Sequence, residues 1–308
     1  MPDWLSEHGI GETRVALIDG DYIIEARILL DGIAVAGLKL PARLVRTGRN
    51  AIARDGAGTE YLLPGGAVGI AEGSNLDIVV TRSAIPGTEP WKRALAKTAT
   101  KDEGLSDPVF AGIPGTLPDS WNDLIEEARS GIVRFAGGEL RISPTPAMTL
   151  IDIDGSLPPG ELATLGAAEA AKAIRRLDIG GSIGIDLPTS GSKATRQAAA
   201  DAIDAHLPRP FERTAVNGFG FVQIVRPRRR ASLVELALDR TPFEARTLLR
   251  KAELEPPGAK RLVAHPAVIS LLESRADWTD ALAKKLGGLI SLRADPALTM
   301  SGGYAENI

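Results

Sequence analysis

Residues 146–155 read PAMTLIDIDG, an apolar run that ends in two aspartates, Asp152 and Asp154. The stretch that follows, 158–181, reads PPGELATLGAAEAAKAIRRLDIGG. Prolines at its start, apolar residues on one stripe and a closing Gly-Gly pair predict a helix. The next segment, SIGIDLP at 182–188, predicts a short strand that ends in Asp186. Together these segments predict a β-α-β unit with two parallel strands.

The two predicted strands bring aspartates to one edge of the sheet. Parallel strands end at the same edge, so Asp152 and Asp186 are expected side by side. Asp154 is expected on the same face as Asp152, because side chains alternate along a strand. Three converging carboxylates would repel one another and raise their pKa values, which makes Mg²⁺ the expected partner. The alternative is that Asp154-Gly155 is an ordinary turn and that Asp186 merely ends a strand.

The composition predicts a soluble, cytoplasmic protein of more than one domain. The chain has 308 residues, of which 44% are hydrophobic, enough for one large domain or several smaller ones. With 36 basic and 39 acidic residues, the net charge of −3 excludes a general polycation. The absence of cysteine excludes disulfides and thiolate metal sites. The acidic N-terminus does not resemble a signal peptide, and no apolar run approaches the roughly 20 residues of a membrane span.

The first 130 residues are predicted to contain a hairpin, a barrel and a linker. Residues 13–29, TRVALIDGDYIIEARIL, predict two strands around a turn at Asp19-Gly20-Asp21. Short β-patterned runs broken by glycines, from Gly37 to about Ser83, predict a small barrel. The segment from 91 to 120 is helical at first and then rich in proline and glycine, which indicates a linker. A helix is predicted over 121–129 with Ser120 as its cap, and one strand over 139–154.

Four segments, taken in order, resemble landmark segments of the RNase E/G family of endoribonucleases. They are RVALIDGDYIIEARI at 14–28, GGELRISPTPAMTLIDIDGS at 137–156, LGAAEAAKAIRRLDIGGSIGIDL at 165–187 and GFGFVQIVRPRRRASL at 218–233. The resemblance implies an α/β protein with an RNase H-like sheet interrupted by an inserted OB-fold RNA-binding barrel, followed by a nuclease subdomain with the metal site and a small C-terminal α/β domain. The implied bounds are 1–36 and 86–130 for the RNase H-like part, 37–85 for the barrel, 131–232 for the nuclease subdomain and 233–308 for the last domain.

The resemblance also implies a catalytic site. In that family two strand-end aspartates hold Mg²⁺, and the matching positions here are Asp152 and Asp186. The residue two positions after the first is usually asparagine, whereas this chain has Asp154. This extra charge would either strengthen the ion site or mark a variant of altered activity. The implied function is Mg²⁺-dependent hydrolysis of a phosphodiester in single-stranded RNA, with all three aspartates as catalytic residues.

Departures from the family pattern keep other functions open. Only a short linker, about 97–120, stands where the family has a sensor for the five-prime monophosphate. Without cysteine the family's zinc-linked tetramer is excluded, which leaves a homodimer open. Gly218 stands where the family has an RNA-contacting arginine. One alternative is therefore a catalytically weak or inactive RNA-binding protein derived from the family. A sugar or nucleotide phosphotransferase is a more distant alternative, because no phosphate-cradling glycine loop is present.

Two clusters of basic residues are candidates for RNA binding. Contacts to phosphates would give affinity without sequence choice, whereas the alternative is a solvated polar face. The family resemblance favours RNA contact for the second cluster more than for the first. Tyr61 is the only aromatic residue of the predicted barrel, which limits base stacking there. The first cluster is Lys39, Arg43, Arg46, Arg49 and Arg54, and the second is Arg226, Arg228, Arg229 and Arg230.

Overall fold

The computed structural model describes residues 2–87, 92–100, 112–189 and 192–308. Its N-terminal strands form a sheet of order β3-β2-β1-β9, in which β9 runs parallel to β1 and the other pairs are antiparallel. The predicted hairpin is confirmed, and Gly20 takes a φ of 61° at its turn. The strands are β1 (Asp3–His8), β2 (Glu12–Asp19), β3 (Tyr22–Leu30) and β9 (Ile113–Pro114).

The described strands of the next segment close into a five-stranded barrel of order β4-β5-β6-β8-β7. This barrel was predicted from the sequence, and its strand order is compatible with an OB-like barrel. Its core is filled by inward-facing side chains such as Leu44, Leu63 and Ile78, which are completely buried. The strands are β4 (Lys39–Arg46), β5 (Ala51–Asp55), β6 (Glu60–Leu63), β7 (Asn75–Arg82) and β8 (Leu95–Thr98).

The last barrel strand corrects two predictions. β8 lies beyond the predicted insert of 37–85, and it is a strand where the sequence pattern predicted helix. Ala94 and Ala96 are buried while Lys97 is exposed, so the segment alternates with the period of a strand and completes the barrel between β6 and β7. Residues 101–111 of the predicted linker lie outside the described residues.

Helix α1 (Ser120–Ser130) confirms the helix predicted here, but Ser120 is not its cap. The N-cap residue is Asp119, and its side chain makes no capping hydrogen bond. Instead, the hydroxyl of Ser120 donates to the backbone carbonyl of Asp21 at 2.6 Å. The helix ends at Gly131, which adopts the left-handed conformation with a φ of 70°. The hydrogen bond of Ser120 therefore attaches the first turn of α1 to the β2–β3 hairpin.

The largest described sheet has the order β10-β11-β12-β13-β15-β14. The single strand predicted over 139–154 is wrong, because residues 145–148 form a turn between two antiparallel strands, β11 and β12. Pro144 and Pro146 lack the N–H that a continuous strand would need. The strands are β10 (Ile132–Phe135), β11 (Gly138–Pro144), β12 (Thr149–Gly155), β13 (Gly181–Asp186), β14 (Glu212–Arg213) and β15 (Phe221–Arg226).

The predicted β-α-β unit is confirmed at the centre of this sheet. Helix α2 (Pro159–Arg176) connects β12 to β13, and these two strands pair in parallel. The helix packs against the sheet through its buried alanines, Leu162 and Ile174. Gly166 permits this close approach, because a Cβ there would lie 2.6 Å from Cγ2 of Ile153. Helix α3 (Lys193–His206) packs against α2, so the helices cover one face near the β12–β13 pair.

The C-terminal segment contains a small α/β unit around its own sheet, whereas Leu233, Leu236 and Phe243 pack into the core of the larger sheet. Its described strands form a sheet of order β17-β16-β18, with β16 and β17 parallel. Ser232 and Glu235 form a capping box at the start of α4. The elements are α4 (Leu233–Leu238), α5 (Arg240–Glu253), β16 (Lys260–Ala264), α6 (Pro266–Ser274), α7 (Ala276–Leu286), β17 (Ile290–Ala294) and β18 (Tyr304–Asn307). None of the described helices has the length and apolar character needed to cross a membrane.

Buried ion pairs join the N-terminal sheet to α5. The side chain of Arg14 is 1% exposed and bonds Glu7 at 2.9 Å and Glu12 at 2.7 Å. From α5, Arg246 bonds Glu12 at 2.9 Å and Arg250 bonds Glu7 at 2.8 Å. These charges are compensated only when the first two strands and α5 are assembled together.

Candidate functional site

Asp152 and Asp186 lie directly opposite one another on the adjacent parallel strands β12 and β13. Both side chains are exposed, whereas Ile151, Ile153 and Ile185 point to the other face and are buried. The apolar residues therefore fix the register, and the alternation of the strand places the aspartates on the open face. The predicted side-by-side placement of these two residues is confirmed.

The aspartate pair belongs to a continuous row across four strands. Arg141 of β11 is opposite Asp152, and Phe221 of β15 is opposite Asp186. Asp154 is exposed on the same face as Asp152, as predicted, but it is opposite Glu139. Two residues along a strand correspond to about 6.6 Å. Asp154 therefore lies in the next row of the sheet rather than in the row of the pair.

The electrostatics around Asp152 disfavour its ionised form. Partial burial, and then the negative charges of Asp154 and Asp186, raise the pKa of Asp152 above its ordinary value. A hydrogen bond from the backbone N–H of Ile153 and the positive charge of Arg141 oppose this rise. Within the described part of the chain, none of the three aspartates forms a salt bridge. A bound cation would relieve the repulsion that raises this pKa.

The expectation that three carboxylates converge on one point is corrected by this geometry. Among residues 2–87, 92–100, 112–189 and 192–308, no three His, Cys, Asp or Glu side chains are grouped so that they could hold a metal ion. Asp154 is displaced along β12 from the row of Asp152 and Asp186. The donor set still suits Mg²⁺, which is commonly bound by one or two carboxylates and otherwise by water and phosphate oxygens.

Most of the second basic cluster is engaged within the protein. Arg230 is buried and bonds Asp178 at 2.8 Å. Arg226 donates to the carbonyl of Ile179 at 3.1 Å and lies 3.7 Å from Asp178, and Arg228 forms an ion pair with Glu235. The side chain of Arg229, by contrast, is exposed. RNA contact by this cluster stays a prediction, and Arg229 is its most accessible member.

The first basic cluster is more accessible. Arg43, Arg46 and Arg49 are exposed on the barrel, and they form no ion pair within the described residues. The guanidinium groups of Arg43 and Arg46 donate to the uncharged backbone carbonyls of Gly73 and Asn50. Arg43 also lines a shallow cleft of about 460 Å³. Lys39, in contrast, lies 3.6 Å from Asp77. The exposure of its side chains therefore favours the first cluster for RNA contact, whereas the family resemblance favoured the second.

Tyr61 cannot provide a stacking surface. Its side chain is 1% exposed, and its hydroxyl donates to Asp55 at 2.9 Å. Burial and this hydrogen bond to a carboxylate raise the pKa of Tyr61 to about 12. The only aromatic residue of the predicted barrel thus belongs to the barrel core.

An exposed aromatic residue that was not predicted from the sequence lies beside the segment that follows β13. Phe219 lies in the turn before β15 and is 82% exposed. The signal was present in GFGF at 218–221, because glycines on both sides of Phe219 favour a turn, and turn residues commonly lie on the surface. The adjoining Gly218 is open, with no heavy atom within 4 Å of where its Cβ would be. A larger side chain at position 218 would therefore fit.

The chain matches no protein-family model, and no curated protein is significantly similar to it. The open sheet face and the barrel therefore carry the indications of function.

Proposed function

We propose that this protein is a Mg²⁺-dependent endoribonuclease of the RNase E/G type that hydrolyses phosphodiesters in single-stranded RNA. In this proposal the N-terminal sheet is RNase H-like and the barrel is an OB fold that binds RNA. The observation that carries the proposal is the direct opposition of Asp152 and Asp186 at the exposed ends of two parallel strands. The C-terminal edge of a parallel sheet is where α/β proteins commonly place their chemistry.

The carboxylates of Asp152 and Asp186 would hold the ion. Bound Mg²⁺ supplies a water of lowered pKa and neutralises charge that develops on the phosphate oxygens. Asp154, in the next row, would accept hydrogen bonds from water on the same face and add negative charge. Arg141 borders the pair on the side opposite Phe221, and its exposed guanidinium, which also bonds Glu139 at 2.6 Å, would lie beside an RNA phosphate.

The barrel would hold the RNA strand on either side of the cut. Arg43, Arg46 and Arg49 are exposed and form no ion pair with acids of the described residues. Such contacts bind the backbone without reading the bases. Since Tyr61 is buried, this barrel would bind mainly through charge and would therefore be sensitive to salt.

A second candidate function is RNA binding without catalysis. One observation favours it: no group of three metal-ligating side chains is assembled within the described residues. The third carboxylate, Asp154, replaces the family's asparagine and is displaced from the pair. A protein of this kind would use the barrel cluster to bind RNA and would leave the strand intact.

One assay separates the two candidates. A fluorescently labelled single-stranded RNA is incubated with the purified protein in Mg²⁺, and again with excess chelator. We expect cleavage with Mg²⁺, no cleavage with chelator, and no cleavage by Asp186→Asn under either condition. RNA binding without any cleavage would support the second function, and cleavage that persists in the variant would contradict the proposed site.

A further inference from the structure

The turn at 217–220, which leads into the strand beside Asp186, carries the solvent-exposed aromatic ring of Phe219. Phe219 is 82% exposed, although a ring of this size usually contributes to a core or an interface. Phe221, two residues later, is half-buried and is paired directly with Asp186. Phe221 thus borders Asp186, and Phe219 lies two residues before Phe221 in the turn that leads into the same strand.

The backbone beneath Phe219 is fixed by hydrogen bonds. Asn217 accepts the backbone N–H of Phe219 at 2.9 Å and that of Phe221 at 3.0 Å through its side-chain oxygen. The hydroxyl of Thr189 donates to the carbonyl of Phe219 at 3.1 Å. The N–H of Leu187 donates to the carbonyl of Gly220 at 3.2 Å. Phe219 is therefore presented from a constrained turn, which reduces the entropy lost when a ligand binds to it.

Gly220 is needed for this close attachment. It has a φ of 92°, and a Cβ at this position would lie 2.3 Å from the carbonyl oxygen of Leu187. Leu187 and Thr189 are the first and third residues after Asp186 in the chain. The turn that carries Phe219 is thus anchored to the segment that leaves the candidate metal site.

Phe221 completes an apolar surface next to this turn. A Cβ on Gly184 would lie 2.5 Å from Cζ of Phe221 and 3.0 Å from Cδ2 of Leu150, so the ring of Phe221 covers Gly184 and approaches Leu150. Leu150 is 39% exposed. The open face therefore presents apolar contacts beside the carboxylates rather than a uniformly charged surface.

We infer that Phe219 is a stacking platform for an unpaired base of single-stranded RNA, next to the phosphodiester at Asp152 and Asp186. This inference rests on the proposed function for the position of that phosphodiester. Stacking on an aromatic ring tolerates every base and supplies much of the affinity of single-strand binding proteins. The predicted barrel has no exposed ring to provide it, because Tyr61 is buried. The platform would fix one nucleotide beside the cut, and the barrel would hold the rest of the strand.

The test combines changes in the protein with changes in the RNA. Binding is measured in chelator, so that no cleavage occurs, by anisotropy of a labelled single-stranded RNA. A set of RNAs carries a single abasic site at successive positions. We expect one position at which loss of the base weakens binding to the unaltered protein at least fivefold. The same abasic site should have no further effect on Phe219→Ala, and Phe219→Trp should restore the base dependence.

A matched control is Leu289→Ala, which removes a side chain that is 79% exposed in the C-terminal unit. It should bind every RNA as the unaltered protein does. Equal affinity of Phe219→Ala and the unaltered protein for intact RNA would overturn the platform, as would abasic penalties that persist unchanged in Phe219→Ala. Sedimentation that shows loss of a dimer in Phe219→Ala, with RNA binding unchanged, would assign the ring to a second copy of the chain instead.

The binding measurement also separates this inference from the proposed function. If Mg²⁺ produces no cleavage but the base dependence requires Phe219, the platform stands and the nuclease assignment fails. If cleavage occurs without any base dependence, the platform fails and the nuclease assignment stands. If both occur, the critical base should lie within about two nucleotides of the cut, and Phe219→Ala should raise KM more than it lowers kcat.

Discussion

Arg141 lies directly opposite Asp152 in the β11–β12 pair, yet its guanidinium bonds Glu139 at 2.6 Å. Glu139 is itself opposite Asp154. The arginine that could have neutralised Asp152 is thus shared with another acid, and the Asp152–Asp186 pair keeps its negative charge. A site of this kind is suited to an exchangeable cation rather than to a permanent internal ion pair.

Replacing either paired aspartate should remove Mg²⁺ binding. Asp152→Asn and Asp186→Asn each delete one of two carboxylate ligands, so Mg²⁺ binding measured by calorimetry and Mg²⁺-dependent cleavage should both be lost. The free energy of unfolding without metal should change by no more than about 0.5 kcal/mol, because both side chains are exposed. Asp154→Asn is the matched control and should retain Mg²⁺ binding. Normal Mg²⁺ affinity in both paired-aspartate variants would contradict the site.

As the pH decreases, Mg²⁺ affinity should begin to fall at a higher pH than it would if Asp152 had the ordinary pKa of an aspartate. Burial and the charges of Asp154 and Asp186 raise the pKa of Asp152. As the pH falls, its carboxylate therefore takes up a proton before the pH reaches the ordinary aspartate pKa of about 3.9. A metal ligand must be ionised, so affinity decreases as pH falls through the raised pKa. Asp154→Asn removes one like charge and should move this decrease to lower pH. Calorimetric titrations across the acidic range would measure the shift, and an unmoved profile would exclude coupling between these carboxylates.

The barrel arginines should determine how RNA affinity depends on salt. Each lost phosphate contact should reduce the slope of log affinity against log salt by about 0.7 for a single strand, so Arg43→Gln combined with Arg46→Gln should reduce it by about 1.4. Arg229→Gln should reduce it by about 0.7. Arg54→Gln is the control, because Arg54 already bonds Glu60 at 2.7 Å. Anisotropy titrations at several salt concentrations test this, and an unchanged slope in the double variant would place the RNA elsewhere.

A larger residue should be accepted at position 218. Because the site of its Cβ is open, Gly218→Arg should fold normally, with a free energy of unfolding within about 0.5 kcal/mol of the unaltered protein. The added cation beside Phe219 should tighten RNA binding and increase the salt slope by about 0.7. Gly218→Gln is the uncharged control and should leave the slope as it is. Weaker RNA binding in Gly218→Arg would show that this turn does not face the RNA.

Glu7 should make stability depend on pH. Burial alone would raise the pKa of Glu7, but hydrogen bonds from Arg250 and from the N–H of Leu117, with the charges of Arg250 and Arg14, hold it below its ordinary value. Its contribution to stability is therefore present above the pKa of the unfolded chain, about 4.3, and is lost as pH falls through the lower folded pKa.

The variant Glu7→Gln tests that contribution. It leaves buried arginine charge uncompensated and should lower the free energy of unfolding at pH 7 by about 3 kcal/mol. The difference from the unaltered protein should shrink as the pH falls below about 4. Glu273→Gln, at an exposed position, should have almost no effect at either pH. Urea denaturation at both pH values gives these energies, and a difference that does not vary with pH would contradict the role of the ionised carboxylate.

The sequence predicted correctly those strands and helices whose pattern is contained in a short stretch of neighbouring residues. The alternation around Ile151, Asp152 and Ile153, together with a helix bounded by proline and glycine, was enough to predict the parallel pair and its exposed aspartates. Residues 95–98 were predicted wrongly, because their strand is defined by partners in β6 and β7 that helix propensity does not include.

Contacts between residues far apart in the chain explain why the ion pairs of the second basic cluster were not predicted. Arg230 contacts Asp178, which is 52 residues away in the chain, so its sequence neighbourhood gave no sign of the ion pair. Phe219 was overlooked for a related reason. Its exposure follows from a turn built on Thr189 and Leu187, which precede it by about 30 residues.

The ion pairs between the first strands and α5 constrain how the protein is made. Arg246 and Arg250 follow Glu12 and Glu7 by 234 and 243 residues, so a ribosome releases the two carboxylates long before their partners exist. Until then, Arg14 is the only cation of this network on the first two strands. Its single charge compensates only one of the two negative charges of Glu7 and Glu12. The N-terminal sheet therefore reaches its final burial only after most of the chain has been synthesised, and a stalled or truncated product would keep this charged edge in water.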